Sequence, residues 1–136
     1  MAGYSGTKLG RKLGLKEGMR VLFINMPASV SAELTTDLST TTAAQLDDTN
    51  LDYIHLFTKE FSVLDAQFGL LMQQLRPNGM LWISWPKKAS KVPTDLNGNT
   101  VRELGLRKGL VDVKVCAVDQ IWSGLKFVWR VKDRPK

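Results

Sequence analysis

The sequence predicts an α/β domain of three layers: a mostly parallel sheet, helices on its faces, and an antiparallel hairpin at the C-terminal end. Three observations carry this prediction. Short continuous apolar runs at 20–25, 51–57 and 80–85 fit strands buried on both faces. An apolar stripe at helical period separates the second run from the third. Two alternating segments at 111–118 and 125–132 lie close enough in sequence to pair antiparallel. Strands alternating with helices imply a parallel sheet, and right-handed crossovers gather the loops that follow the strands along one edge.

The elements follow in order. Leu13-Gly14-Leu15-Lys16-Glu17-Gly18 reads as a turn into the first strand, which ends at Asn25-Met26-Pro27. A weak helix is expected over 29–38, with a Thr-rich tail that forms helix poorly. A short strand is expected within 41–46. After the strand at 51–57, Thr58 or Ser62 can cap a helix whose stripe is Phe61, Leu64, Phe68, Leu71 and Leu75. Arg76-Pro77-Asn78-Gly79 stops that helix, because proline cannot continue it and Asn-Gly favours a turn. The strand at 80–85 meets Pro86, which holds Trp85 extended. A polar loop over 85–99 leads to Thr100-Val101-Arg102-Glu103, a capping box that opens a helix ended by Gly109. Val111, Val113, Val115 and Ala117 then share one face of a strand. Leu125, Phe127, Trp129 and Val131 alternate with Lys126, Arg130 and Lys132 in the last.

Length and composition bound the function. The 136 residues suit one domain, 1–136, and 43% apolar with 24% charged residues is a globular composition. The single cysteine rules out an internal disulfide, and with the single histidine it leaves no Cys/His zinc cluster. No apolar run reaches the roughly 20 residues of a membrane span, and the basic, Gly-rich start lacks the apolar core of a secretory signal. A cytoplasmic location is therefore expected, with no membrane partner. The net charge of +6 is unevenly spread: residues 1–20 carry +4, residues 21–75 carry −6 and residues 76–136 carry +8. The acidic middle speaks against nucleic acid as a partner.

Two resemblances add to this reading. Leu15-Lys16-Glu17-Gly18-Met19-Arg20-Val21-Leu22 leads into the first strand. Leu51-Asp52-Tyr53-Ile54 precedes a helix and then Leu75-Arg76-Pro77-Asn78-Gly79-Met80-Leu81. Over about residues 13–131, with the closing hairpin, these segments resemble the catalytic domain of class I S-adenosylmethionine-dependent methyltransferases. The resemblance implies a Rossmann-like, methyltransferase-like sandwich whose final strand is antiparallel. It also implies S-adenosylmethionine as cofactor, with Asp47 or Asp48 on the ribose hydroxyls. The chain departs from that pattern after the first strand. There the family has a Gly-rich turn, because backbone passes close to the cofactor; here stands Asn25-Met26-Pro27-Ala28-Ser29. The second resemblance rests on Ala2-Gly3-Tyr4-Ser5-Gly6-Thr7, on Trp82-Ile83-Ser84-Trp85-Pro86-Lys87-Lys88-Ala89-Ser90, on residues 111–119 and on Trp122-Ser123-Gly124-Leu125-Lys126. It is to a family of small bacterial proteins known as a domain of unknown function, and it implies no activity.

Ligands of open α/β sheets sit beyond the carboxyl ends of the strands. On this chain that edge gathers Asn25, Thr58, Trp85, Lys87, Lys88, Asp119 and Trp122. Lysines there favour an anion, and a tryptophan face can stack on a base. Ser5 and Thr7, in a basic N-terminal segment 1–14, are candidates for a lid over the same edge. His55, in the middle of a buried strand, reads as a hydrogen-bonded core residue, and Cys116 as a small core side chain. The expected function is a non-catalytic binding or regulatory module with a site for a small anion, a nucleotide or an acidic partner. Whether the chain is an enzyme stays open. The alternatives are a divergent S-adenosylmethionine-dependent methyltransferase and a nucleic-acid-binding protein, the latter motivated by Lys8, Arg11, Lys12 and the basic hairpin. No metal site is expected.

Overall fold

A computed structural model describes residues 8–134. The sheet has six strands: β1 (Arg20–Ile24), β2 (Thr42–Ala43), β3 (Leu51–Phe57), β4 (Leu75–Pro86), β5 (Leu110–Ala117) and β6 (Trp122–Trp129). Their order across the sheet is β2-β1-β3-β4-β6-β5. Parallel pairing joins β2, β1, β3 and β4; β6 is antiparallel to both β4 and β5. The mostly parallel sheet with a C-terminal antiparallel hairpin is the one the strand pattern predicts. From β1 the chain passes to β2 on one side and then to β3 on the other. The order therefore reverses at β1, and a crevice opens between the carboxyl ends of β1 and β3.

The period-2 geometry of each strand divides its side chains between two cores. On one face Ile54, Leu56, Leu81, Ile83, Trp85, Leu125 and Phe127 pack against α4 (Phe61–Gln74) and α5 (Gly98–Lys108). The α4 stripe supplies Leu64, Phe68 and Leu71, as its spacing predicts. Gly105 of α5 lies directly on Phe127, where a β-carbon would enter the ring. On the other face Tyr53, Phe57, Trp82, Cys116 and Trp122 meet three short helices: α1 (Leu9–Lys12), α2 (Ala28–Glu33) and α3 (Thr35–Leu38). Leu9, Leu13 and Leu15 are buried there, so residues 8–15 cover the sheet. Residues 1–7, including the candidate lid residues Ser5 and Thr7, lie outside the described residues.

Several element boundaries differ from expectation, each for a physical reason. The weak helix over 29–38 is two helices, α2 and α3, hinged at Leu34. Neither Thr58 nor Ser62 caps α4; the Phe61 amide donates to Asp95 Oδ1 at 2.8 Å, a side chain 34 residues away. α5 begins one turn before the Thr100 box, because Asn97 Oδ1 accepts the Thr100 amide at 2.9 Å. Gly109 ends it with φ +115°, a conformation open to glycine. β4 starts at Leu75 rather than Met80, and its register against β3 jumps between Leu51 and Tyr53 to absorb Pro77-Asn78-Gly79. A bulge between Asp112 and Lys114 breaks the alternation of β5 and leaves Val113 and Val115 exposed.

Candidate functional site

The crevice at the reversal of strand order is a cleft of about 370 Å³. Asn25 and Pro27 form one wall; Thr58, Lys59, Glu60 and Val63 form the other; Phe57 and Trp122 form the floor. Most of the lining residues follow the ends of β1 and β3; Val63 belongs to α4 and Trp122 opens β6. Asn25 follows β1 with φ +61°, a left-handed bend that asparagine tolerates better than most side chains. The Thr58 amide donates to the Ser84 carbonyl at 3.0 Å, which extends the β3–β4 pairing by one residue. Thr58 Oγ1 then accepts the Glu60 amide at 3.2 Å, turning the chain into α4. The Lys59 carbonyl accepts Thr94 Oγ1 at 2.6 Å and the Asp95 amide at 3.2 Å, so the loop after β4 clamps this turn. The Trp122 ring stands edge-on to Phe57, 5.4 Å between centroids.

The cleft brings together Asn25, Thr58 and Trp122 of the sequence-derived candidates. Asp119 sits beside it with both oxygens committed. Oδ1 accepts the amides of Ile121 and Trp122 at 2.8 Å each, and Oδ2 accepts the Ser29 hydroxyl at 3.2 Å. Trp85 faces the opposite core, against α5, and does not line the cleft. Lys87 and Lys88 lie on the loop after β4 and do not line it either; the Lys87 amide donates to the Ile121 carbonyl at 2.7 Å. Lys59 and Glu60 were absent from the sequence-derived set. The signal for them was present, since they follow Thr58 directly at the end of the buried strand β3.

Charge at this edge is unequal in its availability. Asp95 and Asp119 are held by backbone amides and a hydroxyl. Lys59, Lys87, Lys88 and Lys91 form no ion pair among the described residues. The edge therefore presents these cations beside two occupied carboxylates, with Glu60 as a further carboxylate in the cleft wall.

A second, larger groove of about 730 Å³ runs between α4 and the segment joining β2 to β3. Its walls are largely apolar, with Leu46 and Leu70 exposed at 71% and 66%. Asp47 lines it beside Ile24, the last residue of β1. Asp48 points away, pairing with Arg20 at 3.5 Å and accepting the Gln45 amide at 2.8 Å.

None of the groups with displaced protonation lines the cleft. His55 is fully buried, with Nδ1 2.9 Å from the Tyr53 hydroxyl and Nε2 2.6 Å from the Ser84 hydroxyl. It stacks on Phe57 at 4.1 Å. Burial pushes its imidazole from 6.5 down to about 3, so it is neutral across the physiological range. Burial likewise raises the Tyr53 phenol, and it raises the Cys116 thiol against the opposing charges of Lys12 and Lys114. This is the hydrogen-bonded core histidine that the sequence position suggests. Among the described residues no group of His, Cys, Asp and Glu is placed to hold a metal ion. No helix is long and apolar enough to cross a membrane.

No protein-family model and no curated protein matches the chain. Solved structures do. A SAM-dependent methyltransferase from Aquifex aeolicus is 16% identical and covers 88% of this chain and 87% of its own, with a TM-score of 0.60. A TehB-like SAM-dependent methyltransferase from Corynebacterium glutamicum is 12% identical over 95% of this chain and 91% of its own, with a TM-score of 0.56. Fibrillarin from Aeropyrum pernix, solved with natively bound S-adenosyl-L-methionine, is 14% identical over 85% of this chain and 69% of its own, with a TM-score of 0.56. The fold is methyltransferase-like. Within this methyltransferase-like fold the turn after β1 is unusual for its residues. Pro27 has no backbone N–H to offer, and its carbonyl is taken by the amides of Val30 and Ser31. Asn25 and Pro27 present side chains to the cleft where the resemblance implies bare glycine backbone. These residues do not fit S-adenosylmethionine through such a backbone cradle.

Proposed function

We propose that this chain is a non-catalytic binding or regulatory module, in which a methyltransferase-like sheet holds a small anionic ligand of nucleotide type at its strand ends. The observation that carries this reading is the cleft at the reversal of strand order. It brings together Asn25, Thr58, Lys59, Glu60 and Trp122 in about 370 Å³. Nucleotides bind open α/β sheets at such points. Lysine supplies a point charge for phosphate, and an indole supplies a surface for a base. Asp95 and Asp119 are committed to backbone amides and a hydroxyl, which leaves Lys59 to meet an anion beside the one lining carboxylate, Glu60.

The second reading is a divergent methyltransferase, and Asp47 favours it. That carboxylate lies beside the end of β1, in the groove next to the cleft. Isothermal calorimetry separates the two. Titration with ADP should give saturable heat that Lys59→Ala weakens at least tenfold. Titration with S-adenosylmethionine should give none. Saturable S-adenosylmethionine binding that Asp47→Ala abolishes, together with methyl transfer to cell extract, establishes the second reading in place of the first.

A further inference from the structure

The two basic ends of the sequence, separated by its acidic middle, meet on one face of the fold. The Lys114 Nζ on β5 donates to the Lys12 carbonyl at 2.8 Å, and the Lys12 Nζ donates to the Ala117 carbonyl at 3.2 Å. These contacts fasten the end of α1 to the C-terminal hairpin. Lys114 stands directly across from Lys126 in the β5–β6 pairing. Like charges facing each other across a strand pair destabilise a sheet unless something neutralises them. Lys126 is half-buried, and burial together with Lys114 and Lys16 favours loss of its proton. Among the described residues none of Lys12, Lys16, Lys114 and Lys126 forms an ion pair. The nearest acid in the hairpin, Asp112, is taken by Arg102 at 3.2 Å, and Glu17 is exposed beside Lys16.

From this juxtaposition we infer that the face built by Lys12, Lys16, Lys114 and Lys126 binds the phosphate backbone of a nucleic acid. The four lysines come from three separate stretches of chain, and none of them lines either the 370 Å³ cleft or the 730 Å³ groove. A spread of cations on an open surface fits a line of phosphates better than a single small anion. Lysine contacts to phosphate fix position and carry no sequence information, so binding is independent of sequence. Of the seven acidic residues of the middle segment, Asp48, Asp52 and Asp65 pair elsewhere with Arg20, Arg76 and Lys108, and Asp37 packs against Gly10 of α1. The inference does not depend on the strand-end cleft, and either can fail without the other.

Fluorescence anisotropy of the full chain tests it, using labelled duplex DNA and single-stranded RNA, each in two unrelated sequences, over a series of salt concentrations. The expected result is binding of at least one nucleic acid, equal for both of its sequences, with affinity falling steeply with salt. The Lys114→Gln/Lys126→Gln variant should bind at least tenfold more weakly, and on duplex DNA its log–log salt slope should be shallower by about 2. Lys114→Arg/Lys126→Arg should restore binding, which separates lost charge from lost folding. Arg107→Gln on α5, against the opposite core, should bind as the parent does. The inference is overturned by no binding of either nucleic acid at low salt. Salt-independent binding, or an equal loss from Arg107→Gln, also overturns it. So does sedimentation with phosphatidylglycerol vesicles in the absence of nucleic-acid binding.

Discussion

The two faces of the sheet bury their side chains by different means. The α4/α5 face is an apolar core under two long helices, with Phe68 and Phe127 in edge-to-face contact at 5.4 Å. The α1/α2/α3 face is covered by three helices of four to six residues. It is held by polar links through its interior: the Tyr53–His55–Ser84 chain, and the Trp82 indole donating to the Leu13 carbonyl at 2.9 Å. Short helices contribute little stability of their own. Buried hydrogen bonds between strands, and from a strand to a covering loop, fix that layer in place instead. The difference also explains where function can reside. The long helices cover one face, leaving the groove beside α4. On the other, short segments leave the strand-end cleft and the Lys12–Lys114–Lys126 surface open.

The largest expected effect tests the apolar face. Phe68→Ala should cost about 3–5 kcal/mol, read from urea unfolding, because it empties a fully buried ring site. On the polar face, His55→Leu should cost about 2–4 kcal/mol, because it strands two buried hydroxyls at about 1–3 kcal/mol each. The combined Tyr53→Phe/His55→Leu/Ser84→Ala variant should be less destabilised than His55→Leu alone, since no polar group is left unpaired. If the triple variant unfolds as readily or more so, the hydrogen bonds are not what holds this layer.

Acid gives the next effect. The folded imidazole of His55 titrates at about 3, below the unfolded value of 6.5, so the unfolded chain binds the extra proton. His55 therefore contributes its full stabilisation above pH 6.5 and loses it as pH falls towards 3. Between pH 6.5 and 4.5 the parent should lose about 2 kcal/mol more than His55→Gln does. Parallel pH dependence of the two proteins would show that His55 is not held neutral. The smallest effect concerns neither core: Asp65→Asn, which breaks the exposed pair with Lys108 at 3.4 Å, should change stability by less than about 0.5 kcal/mol.

The fold was largely legible in the sequence, because its strongest signals are local. Residues 51–57 read as a buried strand, and the Leu64–Phe68–Leu71 stripe reads as one helix face, without any partner in view. What sequence could not show depends on distant residues. Asp95 caps α4 from 34 positions away, and the bulge at Asp112 exists only against β6. The candidate site was legible as an edge and not as a list. Trp85 and Trp122 both end up near the carboxyl ends of strands. They face opposite cores because Trp85 shares parity with Leu81 and Ile83, whereas Trp122 shares it with Gly124 and Lys126. Periodicity groups such residues but does not say which face holds the opening.

The central claim is that the strand-end cleft takes an anionic ligand of nucleotide type. A titration of the ¹⁵N-labelled chain with ADP, followed by heteronuclear NMR, tests it most directly. The predicted result is saturable shifts at the amides of Asn25, Thr58 and Lys59 and at the Trp122 indole, absent in Lys59→Ala. An unchanged spectrum at saturating ADP, or shifts confined to residues outside the cleft, would contradict it.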